Sequence, residues 1–177
     1  VHSDKIRLAG LVGCFMEMGL EVIEFTHRIK ILKVIASEVD LLIEALEEGR
    51  FDLVVTYDFI ASVSVACENV GVKYYSWVYD SPLLSLYTKE AKNSVNYISV
   101  FDKKQCERLQ EEGLAHVKYF PLATEVNLFA AVKITEEDEK KYSADVSFLG
   151  RLYEKRGFEE LFQGGPKEYL EEAEAIM

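Results

Sequence analysis

The chain has 177 residues, 49% apolar and 12% aromatic, enough to bury one substantial core, or one domain and the beginning of another. Its formal charge is -11, from 31 acidic and 20 basic side chains. That balance repels a phosphate backbone and offers no long basic stripe for counterion release, so nucleic acid is not an expected partner.

No apolar run approaches the ~20 residues needed to cross a bilayer, so no membrane span is expected. No charged-then-apolar leader is visible either. The first residue is Val1 rather than Met, and a cytoplasmic location is the default expectation. Cys14, Cys67 and Cys106 are far apart, with no second cysteine or histidine at ligand spacing, and read as reduced, buried, small apolar residues. His2, His27 and His116 form no cluster, so neither a metal site nor a histidine-based triad is expected.

Taken in chain order, Lys5 to Met18 carries a helical apolar stripe through Leu8, Val12 and Phe15, stopped by Gly19. LEVIEF, Leu20 to Phe25, reads as a short strand. Ile31 to Glu48 reads as a helix, with Ile35, Val39, Leu42 and Leu46 on one face and Glu38, Glu44, Glu47 and Glu48 on the other. FDLVVT, Phe51 to Thr56, has the continuous apolar character of a covered strand. A shorter helix near Ser62 to Val70 follows, then the strand VKYYSWV, a turn and helix around Ser81 to Ala91, the strand NYISVF from Asn96 to Phe101, a helix from Lys103 to Glu112, and VKYF before Pro121.

Alternating strands and helices with short connections predict an open, doubly wound, mostly parallel sheet of Rossmann-like α/β class. An opening helix with no strand before it is the pattern expected if a first strand precedes Val1. The composition shifts after Thr124, which divides the chain into a Rossmann-like lobe, residues 1–124, a solvated connector or short surface helix, residues 125–143, and residues 144–177. That last part reads as ADVSFLG, a further strand, then helix broken at QGGP. It is either the opening of a second lobe or an extra strand and helix on the first.

Ligands of an open parallel sheet bind at the carboxyl ends of its strands. Those ends carry Tyr57 and Asp58, then Tyr79, Asp80 and Ser81, then Asp102. Three carboxylates at one edge could supply a general base and a pair that recognises hydroxyls. Each also has a plainer reading: Asp58 and Asp102 stand just before helices, as N-caps do, and Ser81 before Pro82 is a cap followed by a first-turn proline. With Ser81 capping, Asp80 is left to face the cleft. Tyr74, Tyr75 and Trp77 read first as core packing on alternate strand faces, and Tyr79, beyond the strand, as the better stacking surface for a sugar or base. In FLGRLYEKRGFEELF the cations Arg151, Lys155 and Arg156 surround a glycine-flanked turn at a helix start, a pattern suited to an anion. The alternative is that they pair with Glu154, Glu159 and Glu160 at the surface. No G-x-G-x-x-G follows a strand and no strand bears the adjacent acids of a phosphoacceptor site, which argues against a dehydrogenase or a response regulator.

VGVKYYSWVYDSPLLSLY, then NYISVFD, PLA and YSADVSFLGRLY, together resemble the N-terminal half of bacterial CgeB-like, spore-maturation-type glycosyltransferase-like proteins, a region described as a domain of unknown function. The resemblance covers about Phe51 to Tyr153, with W-V-Y-D-S-P its most specific block. It implies the two-lobed GT-B architecture, in which the N-lobe receives an acceptor and the C-lobe a nucleotide sugar. GRLYEKRG is similar to the G-R-L-x-x-x-K-G loop of many such enzymes, which implies that Arg151 and either Lys155 or Arg156 hold the donor diphosphate. On this reading most of the C-lobe would lie beyond Met177. The expected activity is sugar transfer from a nucleotide sugar to a hydroxyl acceptor without metal or other cofactor, with Asp80 first and Asp58 second as the base. Trp77, Tyr79, Ser81, Asp102 and Tyr57 would bind substrate, and a protein base fits an inverting reaction. The alternative is a non-catalytic module that binds a carbohydrate or nucleotide or docks a protein.

Overall fold

The computed structural model describes residues 5–27, 29–30, 33–124 and 126–148, with backbone alone at 5–8 and 127–128. The chain divides into two units, Val1–Phe129 and Ala130–Met177.

The first unit holds four parallel strands, β1 (Leu53–Tyr57), β2 (Lys73–Trp77), β3 (Asn96–Val100) and β4 (Val117–Tyr119), side by side in chain order. Their register aligns Thr56, Ser76, Ile98 and Val117 in one row and Tyr57, Trp77, Ser99 and Lys118 in the next. Its helices are α1 (Lys5–Glu17), α2 (Ala36–Gly49), α3 (Ala61–Val70) and α4 (Lys103–Glu111), and the short α5 (Val126–Ala130) ends one residue past its boundary.

Right-handed crossovers between strands that are neighbours in both chain and sheet put every connection on one face. Packing agrees. Tyr74, Ser76, Val78, Ile98, Val100 and Val117 share that face, each at most 2% exposed. The apolar ones form a single core with Val39, Leu42 and Leu46 of α2, Val63 and Cys67 of α3, and Leu109 of α4. α2 presents those residues at helical spacing and docks on α3. Gly71, at φ +79, turns the chain out of α3 with its N–H on the Cys67 carbonyl. Gly49 answers a different need: a Cβ there would overlap the Phe51 ring.

The opposite face carries Leu53, Tyr75, Trp77 and Tyr97, half-buried or exposed. The result is an open parallel sheet flanked by helices, a generic Rossmann-like α/β arrangement. The reversal of strand order that defines a doubly wound sheet does not occur among the described residues. Reversal needs a strand on the far side of β1, and LEVIEF does not supply it. Leu20 to Phe25 is irregular, with Leu20 and Ile23 more than half exposed. An alternating pattern makes a strand only where a neighbour takes its backbone groups.

In the second unit, α6 (Glu136–Tyr142) is exposed except at the half-buried Asp138 and opens on a reciprocal capping box between Thr135 and Asp138. Hydrogen bonds from Thr135 hold the Asp138 carboxyl below the usual carboxylate range. Ala144 to Phe148 forms no strand. The rest of the expected strand and the helix from Gly157 lie outside the described residues.

Candidate functional site

β1, β2, β3 and β4 run parallel, so their carboxyl ends share one rim, and the expected residues from Tyr57 to Asp102 lie along it. Arg151, Lys155 and Arg156 lie outside the described residues.

Asp58 follows the edge strand β1. Its backbone is left-handed, φ 56, and its N–H donates to the Trp77 carbonyl at 2.9 Å. Oδ1 accepts from the N–H groups of Tyr79 (2.8 Å) and Asp80 (3.1 Å). Asp58 therefore does not cap α3, whose N-cap is Ile60 with no side-chain bond. Its carboxylate joins the end of β1 to the corner after β2. Behind it, Thr56 Oγ1 donates to the Asp58 carbonyl at 2.6 Å and lies 2.6 Å from the Tyr74 hydroxyl, which also accepts from Ile60 N–H at 3.0 Å. Burial pushes the Tyr74 phenol well above its ordinary value, against the lowering effect of its bonds to Thr56 and Ile60. Tyr74 is thus core in its ring and part of the site's support in its hydroxyl.

Asp80 is exposed, and among the described residues its carboxylate has no hydrogen bond or ion pair. Ser81 is not a helix cap. The Ser81–Pro82 peptide is cis, and the expected helix from Ser81 is two 3₁₀ turns, Leu84–Tyr87 and Lys89–Lys92, with no side-chain cap on either. Ser81 Oγ instead donates to Asp102 Oδ2 at 3.4 Å, tying the β2 corner to the start of α4. Asp102 is the N-cap of α4, Oδ1 accepting from Lys104 N–H at 2.8 Å and Gln105 N–H at 3.0 Å.

Aromatic rings line the same rim. Tyr57 stacks on Trp77 with centroids 6.0 Å apart, meets Tyr79 edge-on at 6.3 Å, and Trp77 meets Phe120 edge-on at 5.9 Å. Trp77 is therefore not packed in the helix-covered core. Among the described residues its buried indole N–H has no partner, and neither do the two buried amide atoms of Gln105 in the first turn of α4. Phe120, Thr56 and the Tyr74 hydroxyl escape the sequence reading. Phe120 had a signal in its place at the end of VKYF, whereas nothing local marks the two hydroxyls.

Among the described residues no group of three or more His, Cys, Asp or Glu side chains could hold a metal, and no described helix is long and apolar enough to cross a membrane. Cys67 and Cys106 are buried as expected, but Cys14 is exposed on α1. No other described element packs substantially against its helix, so the apolar stripe does not sink it.

The fold and rim define an open parallel α/β domain of Rossmann-like class, an architecture able in principle to take a nucleotide or sugar. No family model, curated protein or solved structure matches the chain.

Proposed function

We propose that the chain is the acceptor-side N-lobe of a GT-B-like glycosyltransferase, moving a sugar from a nucleotide sugar to a hydroxyl. The observation that carries this reading is that the Tyr57–Trp77–Tyr79 rings and the exposed Asp80, next to Tyr79 in the chain, belong to one carboxyl rim of a parallel sheet. Sugar rings stack on such aromatic surfaces, and a carboxylate beside them can take the proton of an acceptor hydroxyl. Asp80 is preferred to Asp58 because Asp58 Oδ1 already accepts two backbone N–H groups. Ser81 and Asp102 would orient the acceptor. Arg151 with Lys155 or Arg156 would stabilise the departing diphosphate through charge-assisted hydrogen bonds. A doubly wound N-lobe would add strands beyond β1.

Asp80→Asn in the protein that carries this chain is expected to lower turnover of its nucleotide sugar by ~10²–10⁴-fold, the range of general-base catalysis, at unchanged melting temperature. The check is nucleotide release from a panel of UDP-, GDP- and dTDP-sugars. Undiminished turnover would remove Asp80 from the role of base.

The exposure of Leu53 (46%), Tyr97 (42%) and Phe120 (49%) on the helix-free face favours a second reading, a non-catalytic module that binds a carbohydrate or nucleotide or docks a protein. Simple glycosides that shift Trp77 fluorescence, with no nucleotide sugar consumed, would select it.

A further inference from the structure

Asp58 is bonded through its backbone and its side chain at once. A left-handed backbone is uncommon for a residue with a side chain, although Asp and Asn tolerate it better than most. Here it is held from both sides: the N–H by the Trp77 carbonyl, the carbonyl by Thr56 Oγ1, and Thr56 by the fully buried Tyr74. This conformation brings one carboxylate oxygen to two consecutive N–H groups, those of Tyr79 and Asp80, 21 and 22 residues away in the chain. Two successive amides converging on one fixed acceptor constrain the peptide plane between them. They therefore also constrain the directions in which the Tyr79 ring and the Asp80 carboxylate leave the backbone.

We propose that Asp58 is a positioning residue: a clasp, set by Thr56 and Tyr74, that fixes the Tyr79–Asp80 corner and so aims the ring and the carboxylate at whatever ligand the rim receives. The assignment goes beyond the transferase reading, because the clasp acts whichever ligand binds. Tyr79 is half-buried and Asp80 exposed. Their amides, once released, can turn to water, so loss of the clasp loosens the corner without unfolding the sheet.

Three substitutions separate the backbone from the carboxylate. Asp58→Gly keeps the left-handed conformation and removes the acceptor, Asp58→Asn keeps both the conformation and an acceptor oxygen, and Asp58→Ala keeps neither. Amide hydrogen exchange is read by NMR at Tyr79 and Asp80, with Ser76 and Ile98 inside the sheet as references. In Gly and Ala, exchange at Tyr79 and Asp80 is expected to rise by about tenfold or more, as for hydrogen bonds lost to a charged acceptor. In Asn it stays nearer the parent, and Ser76 and Ile98 change in Ala alone. Unchanged protection of Tyr79 and Asp80 in Asp58→Gly would overturn the proposal. So would Asp58→Asn loosening them as much as Gly does, a comparison that stands even if Ala fails to fold. The two readings fail separately: an inert Asp80→Asn sinks the transferase and leaves the clasp, whereas protected amides in Asp58→Gly sink the clasp and leave the transferase.

Discussion

Replacing Tyr74 by Phe removes a single oxygen from the interior, and the structure sets its cost. The ring stays in place, 5.8 Å from Phe59 centre to centre, so no large cavity opens. Thr56 keeps the Asp58 carbonyl as its acceptor at 2.6 Å and loses little. The N–H of Ile60, a residue 1% exposed, loses the hydroxyl that accepts from it at 3.0 Å and stays buried. An orphaned buried donor costs about 1–3 kcal/mol, and urea unfolding near pH 7 should register that as a lower midpoint at unchanged slope. Alkaline pH supplies an independent check. Burial keeps the Tyr74 phenol protonated well above its ordinary value near 10, whereas the unfolded chain releases that proton near 10. The native state then holds the extra proton, so this contribution is complete below pH 10 and is lost as pH rises, at ~1.4 kcal/mol per pH unit. Phenylalanine has no such proton, so the gap between parent and variant should shrink at that slope and close about one to two units above pH 10. A gap that stays constant from about pH 9 to about pH 11.5, or no destabilisation at pH 7, would refute the reasoning.

Ser76 is 0% exposed in β2 and its hydroxyl has no partner among the described residues, so Ser76→Ala should stabilise the protein by about 1 kcal/mol as an unsatisfied polar group leaves the core. Urea unfolding that showed a loss would point to an unrecognised partner. Asp102→Ala should cost ~0.5–2 kcal/mol through the uncapped N–H groups of Lys104 and Gln105, with Asp102→Asn much milder, both read by urea unfolding. Ellman's reagent should titrate Cys14 alone in the native protein and all three thiols in denaturant. Burial pushes Cys67 up to about 12 and, with Glu107 adding to it, raises Cys106 as well. A second fast native thiol would contradict that packing.

What the sequence made legible follows the range of the interactions involved. Asp102 could be read as a cap because its partners lie two and three residues on. Asp58 looked like the same device, but its partners lie 21 and 22 residues on, in the corner past the end of β2, and no local pattern distinguishes the two cases. The four strands were readable within about two residues, being short apolar runs between turn signals. The segment after Pro82 was misjudged because Leu83 and Leu86 suit the start of an α-helix. They are buried with Leu84 and Tyr87 exposed, the spacing of three that a 3₁₀ turn satisfies. Leu20 to Phe25 had a strand's pattern without a strand's neighbour. Trp77 and its rings were split between core and cleft because alternation says which residues share a face, not which face the helices cover. Chain-order pairing decides that, and it is a property of the whole sheet.

The same topology explains how the rings can touch across the sheet. Trp77 belongs to β2 and Phe120 follows β4, so β3 runs between them. Side chains in register on parallel strands stand side by side, and the β3 residue opposite Trp77 is Ser99. A large residue there would wedge the two rings apart. Serine leaves room for the 5.9 Å contact, and its hydroxyl accepts from Tyr75 at 2.9 Å, which holds that ring on the same face. The row from Tyr79 through Tyr57 and Trp77 to Phe120 is therefore fixed ring against ring before any ligand arrives. A preformed aromatic wall would spare a ligand the entropy of ordering it, so on the proposed reading the affinity of this rim for a flat apolar face would depend on the packing that Ser99 permits as much as on the rings themselves.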